Sequence, residues 1–155
     1  MDVQFHMKLD LQQAGPADSD WLFQTYAQTM RAFVAQAAGW DERMQQAGFA
    51  RSLRQGSCQI AMRGAARCGF VHWEIEPDLV WLRMLCIAPA MQRQSIGRDI
   101  LANLICHSRS LNKPLYLQVF VCNRMARDWY ERLGFVEVET DGKIARLVLQ
   151  VNSRR

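Results

Sequence analysis

The sequence predicts a mixed α/β domain built on a largely antiparallel seven-stranded sheet, with about four helices and one central strand–loop–helix unit. Three observations predict it. Short apolar runs with the period-two pattern of strands or continuous β-rich character recur along the chain, and between them lie four helical stretches, two marked by three- and four-residue apolar spacing and two by their start and stop signals. Runs at 58–63, 67–76 and 79–87 follow one another across turn signals, which makes an antiparallel meander. The run at 115–121 is reached only across a helix, so it lies parallel to its predecessor through a right-handed crossover.

Taken in order, residues 3–11 alternate Val3, Phe5, Met7, Leu9 and Leu11 against polar neighbours, the pattern of a half-buried strand, and Gly15-Pro16 turns the chain. From Asp18, a candidate N-cap, Leu22, Tyr26, Met30, Phe33 and Ala37 recur on one helical face up to Gly39. A second helix starts after Asp41, runs to about Leu53 and leaves through Gln55-Gly56-Ser57. Gly64 turns the first strand of the meander into the second, and Pro77-Asp78 turns the second into the third. Beyond Pro89, a polar loop containing glycine opens a helix over about 97–111 whose buried stripe is Ile100, Leu101, Leu104 and Ile105; Asn112-Lys113-Pro114 ends it. The strand Leu115–Val121 follows, then a helix from Asn123 to Leu133 with Gly134 at C′. Residues 135–140 and 143–150 flank Asp141-Gly142, a strong hairpin signal.

The length of 155 residues fits one domain spanning 1–155, and the 50% apolar, 22% charged composition excludes disordered, collagen-like and coiled-coil classes. The longest apolar run, Met84 to Met91, is interrupted by Pro89 and falls far short of the ~18 residues of a membrane span; membrane partners are therefore not expected. The opening MDVQFHMKLD lacks the apolar core of a secretory signal, which makes the cytoplasm the expected location. Cysteines at 58, 68, 86, 106 and 122 form an odd set without a CxxC pair, the mark of reduced, mostly buried thiols rather than a disulfide framework or zinc site; no metal is expected. Residues 1–50 hold three bases against six acids, and residues 51–155 sixteen against nine. The basic part suits a phosphate-bearing ligand and the acidic part a cationic one.

The segment Cys86-Ile87-Ala88-Pro89-Ala90-Met91-Gln92-Arg93-Gln94-Ser95-Ile96-Gly97-Arg98 carries the strongest chemical signal. A loop that ends a strand and opens a helix aims several backbone N–H groups and the positive helix end at one spot, which favours a pyrophosphate, and Arg93 and Arg98 add charge there. Gln92-x-x-Ser95-x-Gly97 resembles the Q/R-x-x-G-x-G/A acetyl-CoA loop of the GNAT superfamily of N-acetyltransferases. Downstream, Asn123-x-x-Ala126-x-x-x-Tyr130-x-x-Leu133-Gly134-Phe135 is similar to that family's second conserved segment, in the same order and at the usual separation. The element order matches as well, so the resemblance covers nearly the whole chain. Ser95 departs from it, standing where the family has a glycine whose backbone closely approaches the pyrophosphate. A dinucleotide-binding Rossmann fold fits less well, because this loop holds one glycine rather than three.

The resemblance implies an acetyl-CoA-dependent N-acetyltransferase acting by direct transfer to a primary amine of a small molecule or peptide. It implies that the strand backbone at Leu85, Cys86 and Ile87 binds the acetyl carbonyl and pantetheine amides at a splayed sheet edge. Gln92, Arg93, Gln94, Ser95, Ile96, Gly97 and Arg98 would hold the pyrophosphate, Asn123 the pantetheine arm, and Ala126 would lie on the helix flanking it. Tyr130 is implied as the proton donor to the departing thiolate, since a phenol with a pKa near 10 is protonated at neutral pH. Its plain alternative is an aromatic packed beside Trp129. For the general base the candidates are Glu74 and His72, which alternate on one strand face, each also readable as a satisfied structural residue. Cys86 has no activating neighbour in sequence and is not read as a nucleophile. The acceptor wall is expected from the first two helices: Tyr26, Trp40 and Asp41, with Trp21 and Glu42 nearby, supply aromatic and acidic groups suited to an ammonium. Core packing is the alternative for the tryptophans and helix-start duty for the acids.

Two other classes stay open at this level. One is a non-catalytic acyl-CoA sensor or interaction module of the same fold. The other, a nucleic-acid binder, lacks a basic-aromatic stripe because its arginines are scattered over several elements, so nucleic acid is not expected as a partner. A homodimer is compatible with the sequence.

Overall fold

In the computed structural model, which describes residues 9–151, one seven-stranded sheet runs in the order β1-β2-β3-β4-β5-β7-β6. Its strands are β1 (Asp10–Gln13), β2 (Ser57–Arg63), β3 (Ala66–Ile75), β4 (Val80–Ile87), β5 (Leu115–Phe120), β6 (Val136–Thr140) and β7 (Ile144–Leu149). The helices are α1 (Ser19–Ala38), α2 (Glu42–Ser52), α3 (Ile96–Ser110) and α4 (Arg124–Arg132). Every neighbouring pair is antiparallel except β4 and β5, the pair joined by the α3 crossover. The first expected strand lies partly outside the described residues, at positions 3–8. Within them it continues beyond Leu11 to Gln13, because backbone pairing with β2 holds from Asp10↔Met62 to Gln13↔Gln59 whatever the side chains are.

β4 is covered on both faces at its start, where Val80, Trp81 and Leu82 are buried in succession, whereas β5 alternates, burying Leu115, Leu117 and Val119. On one face α3 and α4 pack over Val71, Val80, Leu82, Leu117 and Leu147, with Ile96, Ile100, Leu101 and Leu104 inserted from α3. Burial of each such side chain contributes about 1.5–3 kcal/mol. On the other face α1 and α2 cover Cys58, Ile60, Phe70 and Cys86 with Leu22 and Phe49. The buried stripe of α1 includes Thr25 and Val34, and Thr25 satisfies its hydroxyl by donating to Trp21 O at 2.9 Å.

Two irregularities in β4 position the site. Its parallel pairing with β5 covers only Val80↔Leu115, Trp81↔Tyr116 and Leu82↔Leu117, although both strands continue, so the two part beyond Leu82 and Leu117. Against β3, His72 pairs with Met84 and Trp73 with Leu82, which leaves Arg83 as the extra residue of a β-bulge. Past the bulge β3 and β4 close tightly: a Cβ on Gly69 would stand 2.4 Å from Cys86 O, so only glycine fits there.

Candidate functional site

The parting of β4 from β5 leaves backbone groups without a sheet partner. Ala88 N–H donates to Cys68 O, and by alternation Cys86 also spends its N–H and C=O on β3. Leu85 and Ile87 therefore turn theirs toward the opened side. The sequence expectation that all three residues offer backbone groups is corrected for Cys86, whose side chain alone reaches the opening. The C=O of Ile87 already accepts from Gln92 Nε2 at 3.0 Å.

Gln92 thus holds the start of the loop with its side chain, and Gln94 does the same further on, donating to Ala90 O at 3.4 Å and accepting from Arg63 Nη1 at 3.2 Å. Next to these anchors Arg93 and Ser95 both take positive φ, 63° in each, an arrangement that cups successive N–H groups toward one point. Among the described residues, the backbone N–H groups of 93–98 find no acceptor. They lie at the N-terminus of the 15-residue α3, with the exposed Arg93 and Arg98 beside them and Ile96 anchored in the core. Ser95 makes no side-chain cap and occupies the left-handed conformation that glycine adopts at least cost.

Where the strands part, a cavity of about 410 Å³ opens between the sheet, α4 and the α1–α2 pair. Leu82 to Cys86 line it from β4, Leu117 to Phe120 from β5, and Asn123, Ala126 and Tyr130 from α4. Tyr26, Met30, Met44, Gln45 and Phe49 close it from α1 and α2. Asn123 is at once the N-cap of α4, its Oδ1 accepting from Ala126 N at 3.3 Å, and part of this wall. Tyr130 packs against Trp129 and Phe135 at ring distances of 5.0 and 5.5 Å, while its hydroxyl has no hydrogen-bond partner among the described residues. Burial raises its phenol above the usual range, as does the neighbouring Cys86 thiol. Cys86 is itself pushed up to about 12, chiefly by burial, so it stays an uncharged thiol and no nucleophile. Tyr26 lines the cavity with its ring stacked on Phe49 at 5.0 Å and its hydroxyl donating to Gln45 Oε1 at 2.8 Å; burial raises its phenol too.

Other expected site residues are not brought to this cavity. His72 is fully buried, its Nε2 2.6 Å from Gln55 O, because the α2 exit packs directly on β3: a Cβ on Gly56 would stand 2.3 Å from Trp73 O. Glu74, on the same strand face, pairs with Arg83 Nη2 at 2.9 Å and does not line the cavity. Neither is placed as a base. Asp41 caps α2, accepting from Met44 N at 2.9 Å. Trp40 donates to Glu42 Oε2 at 2.7 Å, and Glu42 pairs with Arg31 at 2.7 Å, so these three residues knit the α1–α2 corner one ring away from the cavity. Trp21 packs under Arg67, whose guanidinium lies 5.4 Å from its ring. What sequence reasoning missed is Arg83 and the methionines at 30, 44 and 84. The bulge carries no glycine to announce it, and of the methionines only Met30 has a place in the sequence pattern, on the apolar face of the first helix.

Comparison with known proteins shows the family and agrees with the fold. The model of the acetyltransferase (GNAT) domain matches residues 33–137. Among solved structures, an acetyltransferase from Thermus thermophilus superposes with a TM-score of 0.76 at 19% identity, over 94% of this chain and 99% of that one. The PaiA N-acetyltransferase of Thermoplasma acidophilum in complex with coenzyme A gives 0.76 at 15% identity, over 93% and 99%. The ribosomal-protein-S18-alanine N-acetyltransferase of Escherichia coli gives 0.68 at 20% identity, over 91% of each chain. At these identities the likeness is one of fold. A search of curated protein sequences gives no match. No helix among the described residues is long and apolar enough to cross a membrane.

Proposed function

The chain belongs to the GNAT acetyltransferase family, and from that premise we propose that it moves an acetyl group from acetyl-CoA to a primary amine of a small molecule or peptide by direct transfer. The whole chain acts in this reading as one acyltransferase domain. One observation carries it: the unsatisfied N–H groups of 93–98 follow directly, along the chain, on the stretch of β4 that has no β5 partner and whose residues up to Cys86 line the cavity. That arrangement fits a ligand with a pyrophosphate at one end and an amide-bearing arm at the other. When bound, acetyl-CoA supplies an acetyl thioester, an acyl donor whose leaving group is a thiolate.

The chain's own residues then divide the work. The loop N–H groups, Arg93 and Arg98 hold the pyrophosphate, and the N–H groups of Leu85 and Ile87 hold the arm and polarise the acetyl carbonyl. Asn123 and Ala126 form the α4 wall against the arm. Met30, Phe49 and Tyr26 exclude water above the reacting carbon, and Tyr130 gives the departing sulfur a proton from its unpartnered hydroxyl. Acetyl-CoA at 100 times its Kd is expected to stabilise the protein by about 2.7 kcal/mol, roughly 5–10 °C in melting temperature for a chain of this size. No shift at millimolar acetyl-CoA in a thermal melt overturns the reading.

Among the described residues the cavity is lined by no carboxylate or imidazole, so the amine arrives as its free base or loses its proton to water. The ascending limb of kcat/KM against pH is therefore expected to follow the acceptor. Two amines whose pKa values differ by one unit are expected to displace the limb by about one unit. A limb that stays fixed as the acceptor is changed reveals a base on the protein.

A further inference from the structure

We propose that Arg83 is the anion receptor of the acceptor pocket, and that the amine accepted carries an anionic group, carboxylate or phosphate, on an apolar body. The inference rests on the acyl-transfer reading above and names its substrate class. It begins with the bulge. In a regular strand Arg83 and Met84 point to opposite faces, but the extra residue between His72↔Met84 and Trp73↔Leu82 re-aims the chain, and both residues line the cavity. Among the described residues Arg83 is the cavity's one formally charged residue, set against the apolar Met30, Met44, Phe49, Met84 and Phe120.

Its guanidinium is held in place before any ligand arrives. Glu74 Oε2 accepts from Nη2 at 2.9 Å, Glu76 Oε1 lies 3.8 Å from the same nitrogen, and Cζ stands 4.9 Å from the centre of the buried Trp81 ring. Neither carboxylate lines the cavity, and together they engage one nitrogen of three. Nη1 and Nε have no partner among the described residues, and the side chain is 36% exposed. A fixed guanidinium with two nitrogens unspent matches the fork geometry of a carboxylate or phosphate. For an acceptor that is only cationic, the same group is a repulsive charge on an otherwise uncharged wall.

The test reads thiol release at saturating acetyl-CoA with matched acceptor sets built on phenylalanine, methionine and leucine. Each set holds the amino acid, its amide, its aminophosphonate analogue and the decarboxylated amine, with constants expressed per free-base amine. The anionic members are expected to show kcat/KM about 10- to 100-fold above the amide and the plain amine, carried by KM. Arg83→Gln is expected to erase that margin while acetyl-CoA affinity holds. The order of carboxylate and phosphonate identifies which anion the fork prefers. Wild-type turnover that is equal or faster with the amides and plain amines overturns the proposal and leaves the acyl-transfer reading standing, as does an Arg83→Gln enzyme that keeps the anionic preference. Transfer to no amine in any set overturns the acyl-transfer reading, and this one with it.

Discussion

Tyr130→Phe is expected to lower turnover by roughly 10²–10⁴-fold while acetyl-CoA binding stays at the wild-type level. The contacts that fix the ring are those with Trp129 and Phe135, which phenylalanine keeps, and the hydroxyl has no hydrogen bond to lose among the described residues. Stability is therefore expected to hold. Because burial raises the phenol, it remains protonated throughout the range in which an amine can be assayed, and no descending limb due to Tyr130 is expected below its ordinary pKa near 10. Thiol release at saturating acceptor, set beside calorimetric titration with acetyl-CoA, separates the possibilities. Unchanged turnover returns Tyr130 to a packing role. Equal losses in turnover and affinity make it a binding contact. A lost turnover with intact affinity also excludes the sensor role that the sequence left open, since a non-catalytic protein has no turnover to lose.

The fold was legible in the sequence because its signals are local. Period-two strands, the Asp141-Gly142 hairpin and the apolar stripe of α3 depend on neighbours within a turn or a pleat, and each element after the first strand lies within a few residues of its expected place. The hairpin shows the mechanism: Asp141 Oδ1 accepts from the N–H groups of Lys143 and Ile144 at 2.8 Å, and those bonds hold its carboxyl below the usual range. The loop proposed for the phosphate was legible for the same reason, since its unsatisfied backbone N–H groups lie on one contiguous stretch. The acceptor end was not. Asp41 and Glu42 are acids in a suggestive place, but one caps a helix and the other is held by Arg31 and Trp40. His72 and Glu74 do alternate on one face, yet what lies over that face is decided by the α2 exit, remote in sequence from β3. Arg83 was invisible because a bulge formed by two ordinary side chains leaves no mark in a period-two pattern.

Gly97→Glu is expected to abolish acetyl-CoA binding without unfolding the protein, and the separation of those two effects gives the experiment its force. A Cβ at Gly97 would meet Ile87 Cγ1 and Trp129 Cη2 at 3.7 Å, ordinary van der Waals contact, so a Cβ is accommodated without a clash. Glutamate forms helix better than glycine, and in the first turn its charge is favoured by the helix dipole. Stability is therefore expected to hold or rise. The same carboxylate competes for the N–H groups at the start of α3 and repels a phosphate by about 4 kcal/mol at 4 Å and an effective dielectric constant near 20, which corresponds to roughly a 10³-fold loss of affinity. Ser95→Gly is the matched control. It removes a left-handed serine that costs about 1–2 kcal/mol, offset in part by the greater backbone freedom of glycine when unfolded, and leaves the N–H groups where they are. Affinity for acetyl-CoA is expected to be unchanged or improved, with melting temperature equal or slightly higher. A folded Gly97→Glu protein that still binds acetyl-CoA at wild-type affinity takes the loop out of the site. A large loss in Ser95→Gly makes the serine hydroxyl a phosphate ligand in its own right, for only a required hydrogen bond outweighs the relief of that backbone strain.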